Sequence, residues 1–251
     1  MRNLISSFFF LAFLSLIAQH NPKDNFINEY KQFCQANSYN AFLASKKGIE
    51  ILMARVGDYH SKALKNFNKA IELDSSFCDA YYLAGSMHRI LGNPVKAIEL
   101  AEKSIRLNEN YSAYVTLGNA MLLQKEYNQA IQRFDKAIMI NSTLIDGYYG
   151  KAQAYFGIKR YQEVIAAIEK GKNETENIIG YNKAKVDLLL GKTYFASNDS
   201  RAFELLVSVR NKLKNDGEGS YFLGQLYLER GDKKKSSKFI EQAKSLGYNP
   251  D

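Results

Sequence analysis

At 251 residues, 46% hydrophobic and 24% charged, with sixteen Gly and three Pro, the chain has the composition of a folded globular protein and not of a disordered one. Its formal net charge of +8 would suit nucleic acid, anionic lipid or an acidic partner. Lys and Glu are interspersed along the helical stretches, however, as in Lys62, Lys65, Lys69 and Glu72, or Glu99, Glu102 and Lys103, which is the pattern of a solvated outer face.

In chain order, residues 1–20 have the layout of a signal peptide or N-terminal anchor. Arg2 and the terminal amine precede an apolar run from Leu4 to Ala18, closed by Gln19, His20, Asn21 and Pro22. That run is shorter than the roughly 20 residues of a spanning helix, and cleavage is expected after Ala18 or Gln19. Export is therefore expected, to a periplasmic, secreted or membrane-tethered location. Within residues 21–40, Phe26, Ile27, Tyr30, Phe33 and Cys34 form a helical stripe behind Asp24 and predict an N-terminal capping helix. Asn40 to Ser76 reads as a first, degraded repeat. Ala63, Phe67 and Ala70 fit its second helix, while the first, from Ala41 to Val56, lacks a small residue in register, and Gly57-Asp58 marks the turn.

From Tyr81 to Gly171 one pattern is then written three times. Tyr81, Ala84, Gly85 and His88 are followed by Ala97, Ala101 and Ser104; Tyr114, Leu117, Gly118 and Met121 by Ala130, Phe134 and Ala137; Tyr148, Lys151, Ala152 and Tyr155 by Val164, Ile168 and Gly171. Ala97 to Ala130 is 33 residues and Ala130 to Val164 is 34, the period of a two-helix solenoid unit. Offsets of three, four and seven put each group on one helix face. Small side chains at Gly85, Gly118, Ala152, Ala97 and Ala130 mark where paired backbones approach. The pattern resembles the tetratricopeptide repeat family, with Tyr where that family usually has Trp. After Gly171 the period slips: Ala152 to Gly191 is 39 residues, and the polar stretch Gly171 to Asn177 predicts a long loop near 171–180. Leu190, Gly191, Tyr194, Phe203 and Val207, then Leu223, Gly224, Tyr227, Ile240 and Ala243, complete the array.

The resemblance implies an all-α fold, a right-handed α-solenoid of about six helix-turn-helix repeats over residues 41–251, expected as one domain. In this family the first helices line the concave groove. Carried over, the groove sites are Asp79 and Asp146; Tyr82, Val115, Tyr149 and Leu188; Ser86, Asn119, Gln153 and Lys192; Arg89 and Phe156. Val115 and Tyr149 stand where a clamp for a peptide carboxylate would need Lys, and Gly150 where it would need Arg. The resemblance thus implies a scaffold that binds a protein or peptide and is not an enzyme. The alternative is a basic helical-repeat module on a membrane surface or nucleic acid, the latter disfavoured by export.

Chemistry-bearing motifs are missing from the sequence. There is no Gly-rich phosphate loop, no G-x-S-x-G elbow and no H-E-x-x-H pair, so no catalytic residue, cofactor, metal or small-molecule substrate is expected. His88 reads as a packed imidazole. Cys34 and Cys78 are expected as two separate buried thiols, although export would permit their pairing. Four Asn-x-Ser/Thr sequences, at Asn110, Asn141, Asn173 and Asn198, fall in or beside turns and are either glycan acceptors or turn-favouring Asn. Lys233, Lys234 and Lys235 open the last helix without an evident structural use.

Overall fold

The computed structural model describes residues 37–175 and 181–250. Among them are twelve helices and no strand: α1 (Tyr39–Ala54), α2 (Tyr59–Leu73), α3 (Cys78–Ile90), α4 (Pro94–Leu107), α5 (Tyr111–Leu123), α6 (Tyr127–Ile140), α7 (Ile145–Gly157), α8 (Tyr161–Glu174), α9 (Tyr181–Ala196), α10 (Arg201–Lys212), α11 (Gly217–Glu229) and α12 (Lys233–Ser245). The expected signal segment and most of the expected capping helix, up to residue 36, lie outside the described residues. Two compact units meet within α5, one up to Ala120 and one from Met121. In the first, α1 packs on α2, α2 on α3 and α3 on α4; in the second, consecutive helices pack from α6 through α12, and α7, α9 and α11 also touch in succession. This is the layered packing of an α-solenoid.

The turn inside each repeat is made the same way five times. The N–H groups of Asn93, Glu126, Arg160, Asp199 and Asp232 donate to the carbonyls of His88, Met121, Tyr155, Tyr194 and Tyr227 at 2.8–3.0 Å. The residue before each donor is left-handed: Gly92, Lys125, Lys159, Asn198 and Gly231, with φ between 55° and 81°. These are Schellman closures, which satisfy carbonyls that a helix end would otherwise orphan. Only two of the five carry the glycine that signals such a turn. The α1–α2 turn lacks the motif and closes through Arg55 at φ 52°, which explains why the first repeat reads as degraded. Side-chain caps start several helices: Ser38 Oγ accepts from the Ala41 N–H, Asp216 from Gly219 and Asp232 from Lys235.

Small residues sit where predicted, and also where they were not. A Cβ on Gly85 would lie 3.1 Å from the Ala97 carbonyl oxygen, and one on Gly224 would lie 2.9 Å from Ile240 Cγ1. In α1, which seemed to lack such a site, Ser45 and Gly48 are buried and a Cβ on Gly48 would lie 2.6 Å from the Phe67 ring, so the small-residue site exists one turn early. The tightest place is Gly150, whose added Cβ would stand 2.2 Å from Phe134 of the preceding helix.

The five residues that lengthen the period are not all loop. Helix α8 continues through Gly171 to Glu174, because Gly171 is buried against Tyr148 and Ile145. Residues 171–174 of the expected loop are therefore helical, residues 176–180 lie outside the described residues, and α9, with 16 residues, is longer than the 13-residue first helices α3, α5 and α7.

Several further expectations resolve. Cys78 is fully buried and disulfide-bonded, so it is not the separate thiol expected; the one other cysteine, Cys34, lies outside the described residues. Lys235 has a structural use, pairing with Asp232 at 3.1 Å and lying 5.0 Å from the Tyr227 ring centroid. Asn110 Oδ1 caps the Ala113 N–H at 2.8 Å while its amide donates to the Asn108 carbonyl at 3.0 Å, and Asn141 Oδ1 accepts from the Thr143 N–H and hydroxyl. Both behave as turn residues.

Candidate partner-binding face

In the first unit the candidate face is built on α3 and α5. Asp79, Tyr82, Ser86 and Arg89 fall at offsets of three, seven and ten and share one side of α3, and Val115 and Asn119 are one turn apart on α5. All six are half-buried. Ser86 Oγ and Thr116 Oγ1 are hydrogen-bonded at 2.9 Å, and the Tyr82 hydroxyl is hydrogen-bonded with Ser112, so two of the expected contact residues also stitch one repeat to the next. Burial pushes the Asp79 carboxyl up to about 6, raises the Tyr82 hydroxyl well above its ordinary range, and lowers Arg89. Burial, and Lys96 next, also hold His88 below the usual imidazole range, with its Nδ1 buried and bonded to nothing among the described residues.

In the second unit Asp146, on α7, is exposed, and Tyr149, Gln153 and Phe156 on the same helix are half-buried. Tyr149 and Phe156 pack against the core of this unit. Lys192 and Leu188, on α9, take other roles. The Lys192 side chain is 14% exposed, forms an ion pair with Glu218 of α11, and lies 4.9 Å from the Phe156 ring centroid and 5.7 Å from that of Phe222. Leu188 is only 6% exposed and belongs to the core, where it faces the Cβ-less start of α11 at Gly219. Of the expected sites, Asp79, Tyr82, Arg89, Val115 and Asn119 in the first unit are thus half-buried, and in the second Asp146 is exposed and Tyr149 and Gln153 half-buried.

Sequence reasoning missed a charged cluster in the second unit. Asp187, 6% exposed, stands 3.8 Å from both Lys172 and Lys212, tying α8, α9 and α10 together. Nothing in its repeat position signals this. Two clefts also open there. One of about 240 Å³ is lined by Phe195, Asn198, Phe203 and Arg230 among others, and the Arg230 guanidinium covers the Phe203 ring at 3.5 Å. The other, of about 410 Å³, lies along α8–α10 between Glu169, Tyr194, Arg201 and Glu204. The clefts include Ser200 and Ser208, neither hydrogen-bonded to a carboxylate or imidazole among the described residues, and no group of three or more His, Cys, Asp or Glu able to hold a metal occurs among them.

The helix-pair fold and periodic Schellman turns define a solenoid scaffold, and comparison with known proteins gives its family. The tetratricopeptide repeat profile matches residues 79–111 and 218–246, and that of "Anaphase-promoting complex, cyclosome, subunit 3" matches residues 96–171. A TPR repeat-containing protein of Methanocaldococcus jannaschii is 25% identical over 244 residues, covering 93% of this chain and 41% of its own length. Among solved structures, the Cut9–Hcn1 hetero-tetramer of the anaphase-promoting complex superimposes with a TM-score of 0.74 at 16% identity, over 90% of this chain and 42% of that one. YrrB, described as a TPR protein with an unusual peptide-binding site, gives 0.50 at 16% identity, over 72% of this chain and 91% of that one. The chain carries tetratricopeptide repeats. It spans about two fifths of the M. jannaschii relative.

Proposed function

We propose that this protein, a protein–protein interaction scaffold by its repeats, binds an extended or helical peptide of a partner protein on the exposed side of its first helices, outside the reducing cytoplasm. The observation that carries the binding reading is that each unit, taken by itself, presents half-buried aromatic and amide side chains on its first helices, Tyr82 and Asn119 in the first and Tyr149 and Gln153 in the second. Amide side chains there can donate to and accept from a peptide backbone, and Tyr offers rigid contact area at little entropic cost. Lys151, on the same helix as Tyr149 and Gln153, is paired with Asp135 at 2.6 Å, and this reading assigns specificity to the amide and aromatic groups. The disulfide at Cys78 supports the location, since such bonds persist in oxidising compartments. Catalysis has no place in this reading.

Affinity capture from the native host with the full chain tests it. One dominant protein partner is expected, lost when Tyr82, Asn119 and Tyr149 are changed together to alanine. Undiminished capture by that triple variant would overturn the assignment. Capture that instead collapses between low and moderate salt, with lipid or nucleic acid recovered, would make the basic surface the binding element.

A further inference from the structure

Two hydrogen bonds fix how α3 and α5 lie side by side. The Tyr82 hydroxyl bonds with Ser112, and Ser86 Oγ with Thr116 Oγ1 at 2.9 Å; both ties join residues thirty apart, and each helix advances four residues from one tie to the next. The two helices are therefore parallel and in register on this side. Three residues further along both, thirty apart again, stand Arg89 and Asn119. The first two rungs are closed by their own bonds. The third is open: neither Arg89 nor Asn119 forms a hydrogen bond or an ion pair among the described residues, and both are half-buried.

This open rung has a chemical bias. A guanidinium offers a planar fork of N–H donors and accepts nothing, and a carboxamide beside it adds further donors, so the pair suits a carboxylate and not another cation. Burial already disfavours the Arg89 charge, and a cation cut off from water is costly without an opposite charge. Among its described residues the unit supplies none. Asp79 is on the same side of α3 but ten residues back, about 15 Å along the helix. The other carboxylates described in this unit are engaged elsewhere, as Glu99 is with Lys96 and Glu109 with the Tyr114 hydroxyl, both at 2.7 Å.

We propose, on the reading that this face binds a peptide, that Arg89 and Asn119 form its acid-reading rung, which holds the carboxylate of a Glu or Asp side chain of the bound segment. The acid is placed on a side chain and not on the segment's C-terminus for a geometric reason. Arg89 and Asn119 are half-buried, a depth that a side chain reaches from a strand lying over them, and that strand still has Tyr82 to cover, seven residues or about 10 Å back along α3. The rung is also separate from a clamp for a terminal carboxylate, since Val115 and Tyr149 stand where such a clamp needs Lys.

The test applies the purified full chain to a library of random peptides amidated at their C-termini, at about 0.15 M salt, where exposed charges are largely screened. Among the peptides that bind, Glu or Asp is expected at one fixed position about tenfold more often than in the library, as one charge-assisted pair would give. Arg89→Gln should remove that preference while peptides continue to bind, and Arg89→Glu should turn it towards Lys or Arg. If Arg89→Gln fails to fold, Asn119→Ala decides the matter by a several-fold loss of the same preference. Bound peptides without a positional acid, or a preference that survives in Arg89→Gln, would overturn the rung and leave the peptide-binding reading standing. Binding seen only when the library carries free C-termini would overturn it too, by putting the carboxylate at a terminus. A library from which nothing binds sinks the peptide-binding reading, and the rung with it.

Discussion

A single added methyl group gives the sharpest test of the packing. At Gly150 it would stand 2.2 Å from the Phe134 ring, and Phe134 is fully buried and cannot swing away. Gly150→Ala is expected to destabilise by about 1–3 kcal/mol in urea denaturation, more than Gly85→Ala, where the nearest contact is 3.1 Å. The opposite change helps at Lys125, whose φ of 60° a side chain adopts with strain. Lys125→Gly should raise stability by up to about 1 kcal/mol. Asp79 adds a pH dependence. Its folded carboxyl titrates at about 6, above the ordinary 3.8, so the folded state holds the extra proton. The stability linked to that proton is present below about pH 4 and lost as the pH rises through 6. Asp79→Asn should melt like the parent near pH 4 and progressively higher than the parent towards pH 7. Gly85 was legible as a constrained site because it recurs with the period; Gly150 was not, because its constraint comes from a phenylalanine sixteen positions earlier that only the fold brings over it.

Among whole elements, the link between α9 and α11 is the one with most chemistry. Lys192 pairs with Glu218 between the rings of Phe156 and Phe222, and removing the charge leaves a partly buried carboxylate alone. Lys192→Met is expected to cost on the order of 1–3 kcal/mol, and the double variant with Glu218→Gln less than the sum of the two singles, as a double-mutant cycle in urea would measure. A purely additive cycle would show the pair to be idle. This same link shows where the sequence stopped being informative. Helix existence and the two-helix period were readable from apolar spacing, and the described residues form twelve helices on it. Register alone, however, put Leu188 and Lys192 on the partner-binding face. Leu188 is buried because Gly219, in the first turn of the neighbouring α11, lets α9 approach, and Lys192 is held because Glu218 precedes that glycine. The character of a neighbour's first turn decides exposure, and a one-helix pattern cannot carry it. Lys125 and Lys159 hid two Schellman turns for a related reason, since glycine is the turn's signal and not its requirement.

Within each unit the helices pack chiefly on those before and after them, with α7, α9 and α11 adding contacts between alternate elements in the second. Stability in such an array is close to a sum of repeat and nearest-neighbour terms, and opening is local before it is global. A defect placed in α7 should therefore stay near α7. Native-state hydrogen exchange on Gly150→Ala is expected to show lost protection first in α6, α7 and α8, with α12 at the far end of the same unit retaining the parent's values under mild conditions. Its local core supports this: α12 is held by Gly224 against Ile240, by the Asp232 cap and by the parallel stacking of Tyr227 and Phe239 at 5.5 Å, none of which involves α7. A uniform loss of protection from α6 through α12 would mean that the second unit opens only as a whole, and that its inter-repeat ties, Asp187 with its two lysines and Lys192 with Glu218, couple the repeats more strongly than packing alone.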